Sequence, residues 1–140
     1  SISQPILLQI PKFCPHLTAL SLSHTRLSDE VLIAITASCP HIVHLNISNN
    51  YMITDDGIGI LVHNLKGLQS LCIKQVAGLT DVSLQNILTH CATTLHTLHF
   101  DNSEQEGEGP FFTQESINLL LEQCSKLRTV HFGTLPIEYA

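Results

Sequence analysis

The chain has 140 residues, 44% hydrophobic and 13% charged, with nine histidines, five cysteines and no tryptophan. This length fits one domain, and the apolar content is too high for a disordered chain. Twelve Asp and Glu against six Lys and Arg leave a formal charge of −6, which argues against nucleic acid or an anionic membrane as partner. No apolar run approaches the ~20 residues of a membrane-spanning helix, and no signal-peptide pattern opens the chain.

Ser1–Phe13 reads as a helix leading into Cys14-Pro15. A strand follows in Leu17-x-x-Leu20-x-Leu22, and Leu27-Ser28-Asp29-Glu30 opens a helix whose apolar stripe is Val31, Leu32, Ala34 and Ile35. The hydroxyl caps free N–H groups, and the acids complement the helix dipole. Cys39-Pro40 ends that helix, because the residue before Pro leaves the helical region. The cycle then repeats. Ile42-x-x-Leu45-x-Ile47 is followed by Ile53-Thr54-Asp55-Asp56 and the stripe Ile58, Leu61, Val62. Leu68-x-x-Leu71-x-Ile73 is followed by Leu79-Thr80-Asp81 and Val82, Leu84, Ile87, Leu88. Cys91 leads, one residue late, into Leu95-x-x-Leu98-x-Phe100. An acidic, Gly-rich insertion from Asn102 to Pro110 precedes Phe112-Thr113-Gln114-Glu115 and the stripe Ile117, Leu120, Leu121. A fifth strand reads Leu127-x-x-Val130-x-Phe132 after Cys124.

The cysteines, at 14, 39, 72, 91 and 124, are odd in number and form no C-x-x-C pair, so zinc-knuckle and thioredoxin-like motifs are absent. Their recurring interval in the mid-twenties makes four of them a repeat position. The unit of strand, turn and helix resembles the leucine-rich repeat, in its cysteine-containing subclass of about 26 residues. That resemblance implies an α/β, right-handed solenoid, a horseshoe segment with parallel strands on its concave face and helices on its convex face. One domain over residues 1–140 would hold five repeats beginning near 14, 39, 65, 91 and 124, with residues 1–13 the helix of a preceding repeat. The start on half a repeat, and the lack of a polar terminal cap, read as a segment of a longer array. Cys14, Cys39, Cys91 and Cys124 are expected to be buried structural cysteines, with Leu65 in the equivalent slot. The polar ladder residue of the turn survives as Thr25, Asn50 and Ser103, whereas Val76 and Leu135 cannot bridge backbone groups there.

Alternation along each strand turns non-leucine positions outward, and parallel stacking aligns them in columns. The first column is Ala19, His44, Ser70, Thr97 and Thr129; the second is Ser21, Asn46, Cys72, His99 and His131. The third is Ser23, Ser48, Lys74, Asp101 and Gly133, and beyond it lie His24, Asn49, Gln75, Asn102 and Thr134. From these columns Ser21, Ser23, His44, Asn46, Ser48, Cys72, Lys74, His99, Asp101 and His131 are the expected partner-binding residues. His99, His131 and Asp101 could be read as a metal or pH-sensitive site, yet they supply too few ligands. Cys72 beside His99 is conceivable as a nucleophile–base pair, but nothing builds an oxyanion hole for it. Pairs such as His41/His44 and His96/His99 fall on opposite strand faces. His16 and His41 sit in turns, and His63 and His90 sit near helix C-termini, where positive charge is favourable. Glu104, Glu106 and Glu108 lack cation-binding spacing and read as a solvated loop that could meet a basic partner segment.

Neither a cofactor, a metal nor a catalytic residue is expected. The expected activity is protein recognition on the concave face, without nucleic acid or membrane as partner. The repeats look most like those of F-box/leucine-rich-repeat proteins, in which the array captures substrates for a cullin–RING ubiquitin ligase. That resemblance implies a protein substrate here and a ligase adaptor bound through an F-box outside this segment. A regulatory scaffold with no ligase link, or a metal or catalytic site at Cys72, His99, His131 and Asp101, are the alternatives. The lack of disulfide-bearing caps fits a cytoplasmic or nuclear location.

Overall fold

The structure, a computed structural model, describes residues 4–102, 108–132 and 135–138. Short helices α1 (Gln4–Leu7) and α2 (Ile10–Phe13) precede β1 (Ala19–Ser21), α3 (Asp29–Ser38), β2 (His44–Asn46) and α4 (Asp55–Asn64). Then come β3 (Ser70–Cys72), α5 (Asp81–Cys91), β4 (Thr97–Phe100), α6 (Gln114–Gln123), β5 (Thr129–Phe132) and β6 (Leu135–Glu138). All strands lie in one sheet in chain order, parallel from β1 to β5, and each helix packs on the next along the other side.

The core is a stack of identical roles. Leu45, Leu71, Leu98 and Val130 stand in register on the inner face of the sheet, and all are buried. Ile47, Ile73 and Phe100 follow them inward, and Leu32, Ile35, Ile58, Leu61, Leu84, Ile87, Ile117 and Leu120 close the core from the helices. Each repeat is too thin to bury this surface alone, so the layers stabilise one another. Truncating Leu61 to Ala would cost about 2–5 kcal/mol by opening a cavity.

Local chemistry sets the helix bounds. Ser28, Thr80 and Thr113 accept cap bonds from the N–H groups of Val31, Val82 and Ser116. Cys39 and Cys124 close α3 and α6 as C-cap residues. Cys91 is instead the last helical residue of α5, with Ala92 still in the helical region. One more residue lies between Cys91 and Leu95 than between Cys39 and Ile42, and α5 takes it up by running on through Cys91.

Several expectations are corrected. The leading segment is two short helices, with Pro11 in the first turn of α2, where its missing N–H has no partner to lose; Leu7 docks into the core. Val82 faces solvent, 49% exposed, and only Leu84 and Ile87 of its stripe are fully buried. Cys14 is exposed, while Cys39, Cys91 and Cys124 are buried. Burial of this slot comes from the neighbouring repeat: the Cys39 thiol lies 3.5 Å from the Cys14 carbonyl. Leu135 is no ladder residue of a fifth turn, since it begins β6, which runs antiparallel along β5. An edge strand tolerates Pro136, and β6 covers an edge that would otherwise present free N–H and C=O groups.

Candidate interaction face

Short strands in strict register build this face. Ala19, His44, Ser70, Thr97 and Thr129 form one row across the sheet, and Ser21, Asn46, Cys72, His99 and His131 form the next. The insertion before α6 leaves β4 and β5 in phase. Exposure falls along both rows: Ala19, His44 and Ser21 are open, and Asn46, Cys72, His99 and His131 are half-buried. A shallow depression of about 440 Å³ runs over β1 to β4, lined by both rows on β1 to β3 and by His99 on β4.

The His99 and His131 rings stack face to face, 4.1 Å between centroids and 4° from parallel. Imidazole lone pairs lie in the ring plane, so parallel stacked rings do not aim them at a common point. Among the described residues no group of three His, Cys, Asp or Glu is arranged to hold a metal ion. Burial, then the nearby His131 and Lys74, lowers the pKa of His99 below its ordinary value. Two other ring pairs join adjacent repeats: His16 with His41 at 6.2 Å, and His63 with His90, edge to face, at 5.5 Å. Three pairs account for six of the nine histidines, and each pair joins adjacent repeats.

The third column is not the open row that alternation predicts. Ser48 is 6% exposed and its hydroxyl donates to Asn46 Oδ1 at 2.7 Å. Asp101 is 9% exposed and accepts the Gln75 N–H at 2.9 Å. β2 ends at Asn46 and β4 at Phe100, so both residues stand in turns, where strand alternation no longer applies. Ser23 and Lys74 keep part of their surface. Gly133, Thr134, Ser103, Glu104 and Glu106 lie outside the described residues, and Glu108 is exposed.

Turn polar groups are spent inside the fold. Asn50 is fully buried; its Oδ1 accepts from the N–H groups of Thr25 and Leu27, and its Nδ2 donates to the carbonyls of Leu22, Ile47 and Ser48. His24 and Asn49, left-handed at φ 57° and 58°, donate to the backbone carbonyls of Ser48 and Lys74. Gln75, at φ 54°, has only the Asp101 carboxylate in that place. Asn102 then clamps the insertion, accepting from Phe112 N–H at 2.9 Å and donating to its carbonyl at 3.1 Å.

A second ladder runs along the helix starts, and sequence reasoning missed it. Asp29 accepts both the N–H and the hydroxyl of Thr54, Asp55 does the same for Thr80, and Asp81 for Thr113. Ser83 adds its hydroxyl to Asp55 at 2.6 Å. At the equivalent position Gly57 leaves room for Asp29, whose carboxylate a Cβ there would strike. Burial pushes the Asp81 pKa up, but bonds from Thr113 and Ser116 outweigh it and hold the pKa below the ordinary value. Asp29, Asp55 and Asp81, read as dipole partners, are therefore also ties between repeats. The signal was present in the recurring Thr-Asp pairs, Thr54-Asp55 and Thr80-Asp81.

Burial raises the thiol pKa of Cys39, Cys91 and Cys124, with Cys91 pushed up to about 12. These thiols stay protonated and inert. Cys72 sits in register with His99 on the open face.

A family model described as a leucine-rich repeat matches residues 13–35 and 38–59. The fold is that of a leucine-rich-repeat solenoid. Its fold is similar to that in a yeast complex of Rad7 and Elc1, with 27% identity and a TM-score of 0.69 over 94% of this chain. The chain spans 39% of that protein's length. It is also similar to the actin-binding site 2 of leiomodin-1, at 17% identity and a TM-score of 0.71, covering 95% of this chain and 80% of that one; this shows the fold alone. No match is found among curated proteins. The sequence match stops short of Leu65, Val76 and the insertion, where the repeat departs from its pattern. Leucine-rich-repeat arrays are protein–protein interaction modules and typically not catalysts. Among the described residues no helix is long and apolar enough to cross a membrane.

Proposed function

We propose that this array is the recognition part of a cullin–RING ubiquitin ligase, holding a protein substrate on its sheet face while an F-box elsewhere in the protein binds the adaptor. The observation that carries the recognition reading is the continuous row Ser21, Asn46, Cys72, His99 and His131. Its side chains keep open surface, whereas the polar groups of the turns and helix starts are consumed in ties between repeats. The ligase link rests on the cysteine-containing repeat pattern and on similarity to the yeast protein found in complex with Elc1. A cytoplasmic or nuclear setting agrees with five free thiols.

The test is purification of the full-length protein from cells in which cullin activity is blocked. Adaptor and cullin should co-purify, together with a protein that accumulates under the block. Thr97→Trp, a bulky side chain in the middle of the face, should release that protein and keep the adaptor. Capture of the protein without any cullin would replace the ligase reading with a regulatory scaffold. Unchanged capture by Thr97→Trp would remove the sheet face from the reading.

A further inference from the structure

Most acids among the described residues lie at the helix starts and along the helices. Asp29, Asp55 and Asp81 are bound to threonines at the helix starts, and Glu30, Asp56 and Glu115 stand in first helical turns. Glu122 lies on α6, and Asp101 is turned to the Gln75 N–H. The sheet face has a different inventory. Lys74 follows β3, close enough to His99 to oppose its protonation, and His131 is stacked on the other side of the same ring. Three basic groups from neighbouring strands are thus grouped over β3 to β5 of a chain whose formal charge is −6.

Building on the protein-recognition reading, we propose that the sheet face over β3 to β5 takes an extended acidic peptide segment, its anionic side chains set against Lys74, His99 and His131. Strands are about 4.8 Å apart, and alternate side chains of an extended peptide about 7 Å, so a segment crossing the strands can set successive anions over Lys74 and the His pair. Stacked rings cannot both be charged without mutual repulsion, and an anion above them removes that obstacle. Binding should therefore take up a proton and tighten as pH falls. Beside this pair stand Lys74, which acts on His99, and Cys72, in register with it on β3; Asp101 follows β4 with its carboxylate on the Gln75 N–H, and in the backbone register of β6 Pro136 pairs with His131 and Glu138 with Thr129.

The probe is a fluorescent nine-residue peptide alternating Glu with Val, beside its Gln, Lys and phosphoserine counterparts, titrated against the whole chain by anisotropy at pH 7.5 and 6.0. The Glu peptide should bind at least about tenfold tighter than the Gln peptide and tighten about five- to tenfold at the lower pH, as uptake of one His proton allows. Replacing both His99 and His131 with Gln should abolish the pH effect, and Lys74→Gln should weaken binding at both pH values, with circular dichroism confirming that each variant folds. Tighter binding of the phosphoserine peptide would support the proposal and identify phosphate as the preferred anion. Equal binding of the Gln or Lys peptide, lost in Thr97→Trp, would overturn the acidic segment and leave protein recognition standing. Binding of every probe unaffected by Thr97→Trp, or no binding of any, would overturn both.

Discussion

Between the first two repeats, one buried amide does the bridging. Asn50 serves donors and acceptors of both repeats, and the backbone ladder continues past it as His24 N–H to Ser48 carbonyl. Between the third and fourth repeats the Gln75 N–H finds a carboxylate, Asp101, where His24 and Asn49 find a backbone carbonyl. Asn102 then gathers the chain back to Phe112 beyond the insertion. Side chains satisfy backbone groups at both places, a fully buried amide at the first and the carboxylate of Asp101 with the exposed Asn102 at the second.

The largest contrast should come from the buried amide. Asn50→Ala leaves the Thr25 and Leu27 N–H groups without their acceptor in a fully buried site; the expected loss is about 2–4 kcal/mol, read as a lower urea midpoint. Asn102→Ala, which frees two backbone groups at an exposed residue, should cost about 1 kcal/mol. Equal losses would mean that the two joints are not distinct in kind.

The third effect concerns the tie between the third and fourth repeats at the helix starts. Asp81 has a folded pKa below its unfolded value, so the stability it contributes is present above about pH 4 and is lost as pH falls through the folded value. Asp81→Asn should be less stable than the parent at pH 7, and the gap should narrow on acidification toward pH 3, measured by thermal melts across that range. A constant gap would mean that Thr113 holds Asp81 no more strongly than water does.

The period of about 26 residues made the fold legible, because each hydrophobic layer recurs at the same phase and the helix starts carry their own hydroxyls. Burial was legible only where a residue's neighbours also lay in the pattern. Cys14 has the motif of Cys39, yet burial of this slot comes from an adjoining repeat, and Cys14 is exposed. Alternation placed Ser48 and Asp101 outward, and it failed because their strands end earlier, at Asn46 and Phe100. The Asp–Thr ladder stayed hidden for another reason: an acid after a capping hydroxyl already has a sufficient local explanation in the helix dipole. Only the stacked repeats show the longer-range partner. Spacing placed His99 and His131 in one column, but the face-to-face contact of their rings shows only in the structure.

The smallest effect tests the face itself. His99 has a folded pKa below its unfolded value, by burial first and then by His131 and Lys74, so the fold favours the neutral ring. Its contribution is fully present above about pH 6.5 and is lost as pH falls through the folded value. The parent chain should thus lose stability between pH 7 and pH 5. His131→Gln removes one of the positive neighbours and should flatten that slope, and Lys74→Gln should flatten it less, in the order of their influence on His99. His41→Gln, in a pair whose rings are 6.2 Å apart, should leave the slope unchanged, because like-charge repulsion weakens with distance and with solvent around the pair. A slope altered by His41→Gln and not by His131→Gln would place the acid sensitivity in the turns that lead into the strands, and would break the link between the stacked pair and the open face.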